Sequence, residues 1–104
     1  MDVPDDWPFS DDPPNVAVIA TRGIMDGSDW IALASLDDED GGWQFIGSDG
    51  PRDDQAMVVA LHCVLAKDRS IGEFADLPPG WQAWRAGPDQ PWQRAPHSTS
   101  ADSR

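Results

Sequence analysis

The densest run of ligand-type side chains is Asp37-Asp38-Glu39-Asp40, followed by Gly41-Gly42. Successive carboxylates raise the question of a calcium loop, which needs oxygens at alternate positions, a glycine at the sixth and a carboxylate at the twelfth. With Gly41 as the sixth residue the loop would begin at Leu36 and end at Gly47. With Gly42 as the sixth it begins at Asp37, but Gly41 falls fifth and Ser48 twelfth. Neither register supplies the ligands. The run therefore reads as a solvated hairpin turn or as a turn that faces a partner.

The other reactive types are sparse. His62 and Cys63 adjoin within an expected helix, where successive side chains diverge by about 100° and make a poor nucleophile–base pair. A zinc site needs about four ligands, and the only other histidine is His97, near the end of the chain. Ser28, Ser35, Ser48 and Ser70 lie in no nucleophile motif, and neither a phosphate-binding loop nor Gly-x-Gly-x-x-Gly occurs. No catalytic residue, metal or cofactor is expected, and the chain reads as a non-enzymatic protein.

A third cluster is built for contact rather than catalysis. Gly80-Trp81-Gln82-Ala83-Trp84-Arg85 and Pro91-Trp92-Gln93-Arg94 bring three tryptophans and two arginines together. Trp and Arg are the types that most often anchor interfaces. On a strand, Trp81 and Arg85 share one face and Trp84 takes the other. Trp84, Arg85 and Trp92 are thus candidate partner contacts, while an arginine stacked on a tryptophan within the fold is the structural alternative.

Charge narrows the partner. The 104 residues carry 19 acidic and 7 basic side chains, a net charge of −12. Nucleic acids and anionic membranes are bound through Lys and Arg, so neither is expected as a partner. A basic protein surface is, and Asp37, Asp38, Glu39 and Asp40 would steer it. One cysteine permits no intrachain disulfide, which suits a reducing cytoplasm. The acidic, proline-broken start is no signal peptide, and no apolar run approaches the roughly 20 residues of a membrane span.

The elements that must position these residues follow from composition. Residues 1–14 form an acidic, proline-rich arm whose Trp7 and Phe9 are expected to dock on the body. Residues 15–94 form one α+β domain, and residues 95–104 a disordered tail. Apolar, β-branched or aromatic runs at 15–21, 30–36, 43–46 and 81–86 read as strands, with Trp92-Gln93-Arg94 as a short edge segment. The turn at 22–29 is marked by Asp26-Gly27 and the turn at 37–42 by its acidic run. One main helix is expected over 53–68, capped by Asp53 or Asp54. Met57, Val58, Leu61, Val64 and Leu65 would face the sheet, and Gln55, His62 and Arg69 would form the polar side. Val59 and Cys63 fall off that apolar face and are candidate self-association residues. Ser70 to Ala75 adds a helical turn that ends at Leu77-Pro78-Pro79-Gly80. Short connections favour antiparallel neighbours. The expected fold is a mostly antiparallel sheet of four to five strands with one main helix packed on one face.

Asp-Gly-Gly-Trp-Gln-Phe (40–45), Ala-Asp-Leu-Pro-Pro-Gly-Trp-Gln-Ala-Trp-Arg (75–85) and Pro-Trp-Gln-Arg (91–94), with a helix between the first two, resemble a family of small bacterial domains of unknown function. That family is grouped with predicted immunity proteins of polymorphic toxin systems. The resemblance spans about 15–94. It implies an α+β fold and a toxin-neutralising role, and it brings no catalytic residues. The leading expectation is a binding protein that meets a basic partner, of immunity type where the resemblance extends to function. The alternatives are a homo-oligomeric structural subunit that associates through Val59 and Cys63, and a small-molecule or metal-binding domain.

Overall fold

The apolar run that follows Asn15 forms β1 (Ala17–Thr21), and the chain turns at once into a short helix, α1 (Arg22–Asp26). Gly27, with φ +85°, ends α1 in the left-handed conformation that glycine adopts without a steric cost. Ser28 N–H then donates to the Asp26 carboxylate at 2.8 Å. The stretch expected to be a simple turn thus holds a helix whose Ile24 enters the core.

β2 (Ile31–Leu36) and β3 (Trp43–Gly47) form a hairpin across the acidic turn, and β4 (Ala56–Ala60) runs directly into α2 (Leu61–Lys67). A 3-10 helix (Arg69–Phe74), β5 (Trp81–Trp84) and β6 (Gln93–Pro96) complete the fold. The computed structural model describes residues 7–9, 12–39, 41–48 and 56–96. Asp40, the proposed helix caps Asp53 and Asp54, Gln55 and His97 lie outside them.

The six strands make one mixed sheet in the order β4-β1-β3-β2-β5-β6. This differs from the expected four to five antiparallel strands. β2 pairs antiparallel with β3 and with β5, and β5 with β6. β1, however, lies parallel to β3, with Ile19 opposite Gln44. The tight hairpin leaves β2 on one side of β3, so β1 takes the other side. β4 then covers the second edge of β1 in an unbroken antiparallel register, from Ala17 opposite Ala60 to Thr21 opposite Ala56.

The expected helix over 53–68 is therefore corrected. Of its described residues, 56–60 are strand and 61–67 are helix. Leu61, Val64 and Leu65 are buried on α2 as the periodicity requires, but Val58 stands 70% exposed on β4. Long-range hydrogen bonds decide the boundary. A helix begins with amide groups that lack intrahelical partners, and here no side chain caps them. Leu61 N–H instead donates to the Val16 carbonyl and His62 N–H to the Pro14 carbonyl, both at 2.9 Å. The β1 edge thus draws 56–60 into the sheet, where the paired β-branched Val58 and Val59 fit well, and the chain before β1 caps α2.

The core lies between one sheet face and the helices. Val18, Ala20, Ala34, Leu36, Trp43, Phe45 and Ala83 supply the sheet side, and Ile24, Leu61, Val64, Leu65, Ile71 and Phe74 the helical side. Trp43 is its centre. It stacks on Phe45 at 5.7 Å, meets Phe9 edge-on at 5.6 Å, and packs against Phe74 at 5.8 Å. Its indole N–H reaches the Asp12 carboxylate at 3.0 Å. Phe9 is 1% exposed and Trp7 packs against it at 5.6 Å. β6 extends to Pro96, into the stretch expected to be a disordered tail. Among the described residues no helix is long and apolar enough to cross a membrane.

Candidate functional site

The two faces of the sheet divide the residues singled out in the sequence. Arg85, Trp92 and Trp81 lie on the core side. Trp84 lies on the other face, which the helices leave uncovered.

Arg85 is a buried structural hub. Its side chain is 2% exposed and forms an ion pair with Asp68. Nε donates to the Ile31 carbonyl at 2.8 Å, and one terminal nitrogen to Ser70 Oγ and the Pro88 carbonyl, each at 3.1 Å. The guanidinium lies 4.3 Å from the Trp92 ring centre and 5.7 Å from that of Trp30. Trp92 also packs edge-on against Phe74 at 4.7 Å and donates its indole N–H to Ser70 Oγ at 3.0 Å. Burial pushes the Asp68 carboxyl up, but hydrogen bonds from Ser70 and Arg85 outweigh it and hold the group below its ordinary value. A guanidinium with its donors so occupied ties β5 to the 3-10 helix and has little left to offer a partner.

Asp37, Asp38 and Glu39 are exposed in the β2–β3 turn. Asp37 orders it: its carboxylate accepts from Glu39 N–H at 2.7 Å, and its carbonyl accepts from Gly41 N–H at 3.1 Å. Gly80, at φ +85°, brings the β5 approach against this turn, and its N–H donates to the Leu36 carbonyl at 2.8 Å. A Cβ at position 80 would lie 3.2 Å from Asp38 Cβ.

The uncovered face begins at this turn. Its side chains alternate with those of the core. Val58 on β4 stands opposite Ile19 on β1, Ile46 on β3 opposite Leu33 on β2, and Leu33 opposite Trp84 on β5. Together they make a diagonal apolar band across five strands. Gln44, Ser35 and Gln82 form a polar row between part of that band and the acidic turn. A hollow of about 220 Å³ joins the two kinds of surface, with Ala17, Ile19 and Val58 on one side and Gln44 and Asp37 on the other. A second, of about 330 Å³, lies against Ser35, Asp37, Asp38 and Gly80.

Val59 is half-buried on β4 and packs toward the core, whereas Val58 carries the exposure. Cys63 is half-buried on α2, with Sγ 3.9 Å from His62 Nδ1. The two adjacent side chains therefore approach each other more closely than their helical spacing suggests. Among the described residues no group of three or more His, Cys, Asp or Glu side chains is placed to hold a metal ion.

Sequence reasoning missed Val58 as an exposed residue and Ile19, Leu33 and Ile46 as half-buried residues of the outer sheet face. The signal was present in the alternation along 17–21 and 43–47, but an apolar run reads as core until the helices are seen to pack on one face of the sheet. Comparison with known proteins adds no relative: no family model, no curated protein and no solved structure matches the chain.

Proposed function

We propose that the chain is a non-enzymatic protein-binding domain of α+β type that receives a basic partner on the uncovered face of its sheet. The observation that carries this reading is the hollow in which apolar Ala17, Ile19 and Val58 meet Asp37 at the foot of the acidic turn. An apolar floor supplies affinity through burial. An acidic rim on a chain of net charge −12 speeds encounter with a basic surface and selects against acidic ones. Trp84, at the far end of the apolar band, offers a large ring for an anchor contact. The resemblance to predicted immunity proteins makes a basic toxin one partner that suits this surface.

The test is affinity recovery from extracts of cells that make the protein, with partners identified by mass spectrometry. The variant D37N/D38N/E39Q/D40N should recover a basic partner at least tenfold less well at low salt. The variant I19D/W84D should lose it at all salt concentrations while keeping a cooperative thermal transition. Equal recovery by the wild type and both variants overturns the reading.

A further inference from the structure

The two edges of the sheet are built differently. β6 ends in Pro96, which has no N–H to offer, and carries Arg94, whose guanidinium pairs with Asp76 at 2.7 Å. Proline and charge are the usual devices that stop another strand from adding to an edge. β4, Ala-Met-Val-Val-Ala, carries neither. It runs against β1 for five residue pairs without a bulge, and its central Val58 is 70% exposed.

The hydrogen-bond phase of this edge follows from one contact. Leu61 N–H donates to the Val16 carbonyl at 2.9 Å, so Val16 and Leu61 form a hydrogen-bonded antiparallel pair. Such pairs alternate with non-bonded ones. In the observed register Val18–Val59 and Ala20–Met57 are then bonded pairs, and Ile19–Val58 is a non-bonded pair. Both backbone groups of Val58 point away from β1, together with the N–H of Ala60 and the C=O of Ala56. These groups form a strand-addition template beside the hollow lined by Val58, Ile19 and Asp37.

We infer that the partner enters as an extended basic segment that adds a seventh strand along β4. This rests on the reading of a basic partner and specifies its form. Backbone hydrogen bonds to Val58 supply affinity, and alternate side chains supply selectivity. An apolar side chain lies beside Val58 on the uncovered face, and Lys or Arg on the same face are drawn by the field of the acidic turn across the intervening strands. The net charge of −12 favours such a segment over a second copy of this chain, whose own charge would repel it.

The test uses the ten-residue peptide Lys-Thr-Val-Thr-Lys-Thr-Val-Thr-Lys-Thr, whose Lys and Val side chains share one strand face, as probe, with a second peptide of identical sequence N-methylated at every other residue. Titration with the full chain should show at least tenfold weaker binding of the methylated peptide, which keeps its charge but loses half its backbone donors. Amide exchange should show Val58 N–H protected at least tenfold on binding the parent peptide. The variant V58K, which alters no backbone group but places a cation on the edge, should weaken binding at least tenfold with an unchanged thermal midpoint. Equal affinity for the two peptides, no binding at millimolar concentration, or an unprotected Val58 amide overturns strand addition. A dimeric mass in solution that V58K converts to monomer also overturns it, because the edge is then occupied by a second copy. D37N/D38N distinguishes the two proposals. If it leaves affinity unchanged while N-methylation still abolishes binding, the acidic-steering reading fails and strand addition stands.

Discussion

The Arg85 guanidinium lies 4.3 Å from the centre of the Trp92 ring, and the Ser70 hydroxyl accepts a hydrogen bond from both side chains. Ser70 Oγ in turn donates to the Asp68 carboxylate at 2.6 Å. Four residues from three stretches of chain thus form one network, and its charge is balanced only while Asp68 is present and ionised.

Asp68→Ala leaves a guanidinium that is 2% exposed without its counter-charge. Removing one partner of a buried pair costs about 3–5 kcal/mol, a large share of the about 5–15 kcal/mol that holds a domain together. Urea denaturation should show a loss of extrapolated unfolding free energy of that size. Asp76→Ala, which breaks a solvent-exposed pair with Arg94, should leave the urea midpoint close to that of the wild type.

The same network sets a dependence on acid. The folded-state pKa of Asp68 is depressed, by hydrogen bonds that overcome the opposing effect of burial. As pH falls, the unfolded chain takes up its proton first, at the ordinary aspartate value of about 3.9. The stabilisation is therefore complete above that value and is lost as pH falls through the lower folded-state value. Thermal melts of wild type and Asp68→Asn between pH 7 and pH 2 should converge as the pH drops. Parallel curves would show that Asp68 is not the titrating group.

Phe9→Ala tests how firmly the N-terminal aromatics are held. The ring is 1% exposed and contacts Trp43 and Trp7, so truncation should cost about 3–5 kcal/mol. A loss below about 1 kcal/mol in a denaturant titration would mean that the core closes without it.

Gly80→Ala forces a side chain into the left-handed region at φ +85° and against Asp38 Cβ. The conformational part alone costs about 1–2 kcal/mol. Amide chemical shifts should move at Leu36, Asp37 and Asp38, because Gly80 N–H bonds to Leu36 and its Cα abuts the turn. Unchanged shifts there would show that the turn is ordered independently of β5.

Much of the strand content was legible because local chemistry and fold agree. β-branched and aromatic runs bounded by Asp26-Gly27, Gly41-Gly42 and Pro79-Gly80 mark β1, β2, β3 and β5. β4 was not, since Met57, Val58, Leu61, Val64 and Leu65 satisfy a helical period and no breaker separates the strand from α2. The decision lies in the Val16 and Pro14 carbonyls, more than forty residues away. Arg85 was equally opaque as a buried group, because its partners Ile31, Asp68, Ser70 and Pro88 meet only in the folded chain. The acidic turn was legible at 37–39, but the half-exposed apolar face beside it depends on where every helix packs.

The interior position of β1 has a consequence for synthesis. Both strands that flank it, β3 and β4, follow it in the chain. A polypeptide leaving the ribosome thus presents β1 with both edges open until β3 has emerged and with one edge open until residue 60 has, and β2 waits longer still for its second neighbour, β5 at residues 81–84. The β2–β3 hairpin closes before β1 has both of its neighbours, and β1 is placed onto it. Nascent chains stalled before residue 60 should therefore be sensitive to proteases and bound by holding chaperones, whatever the stability of the finished protein.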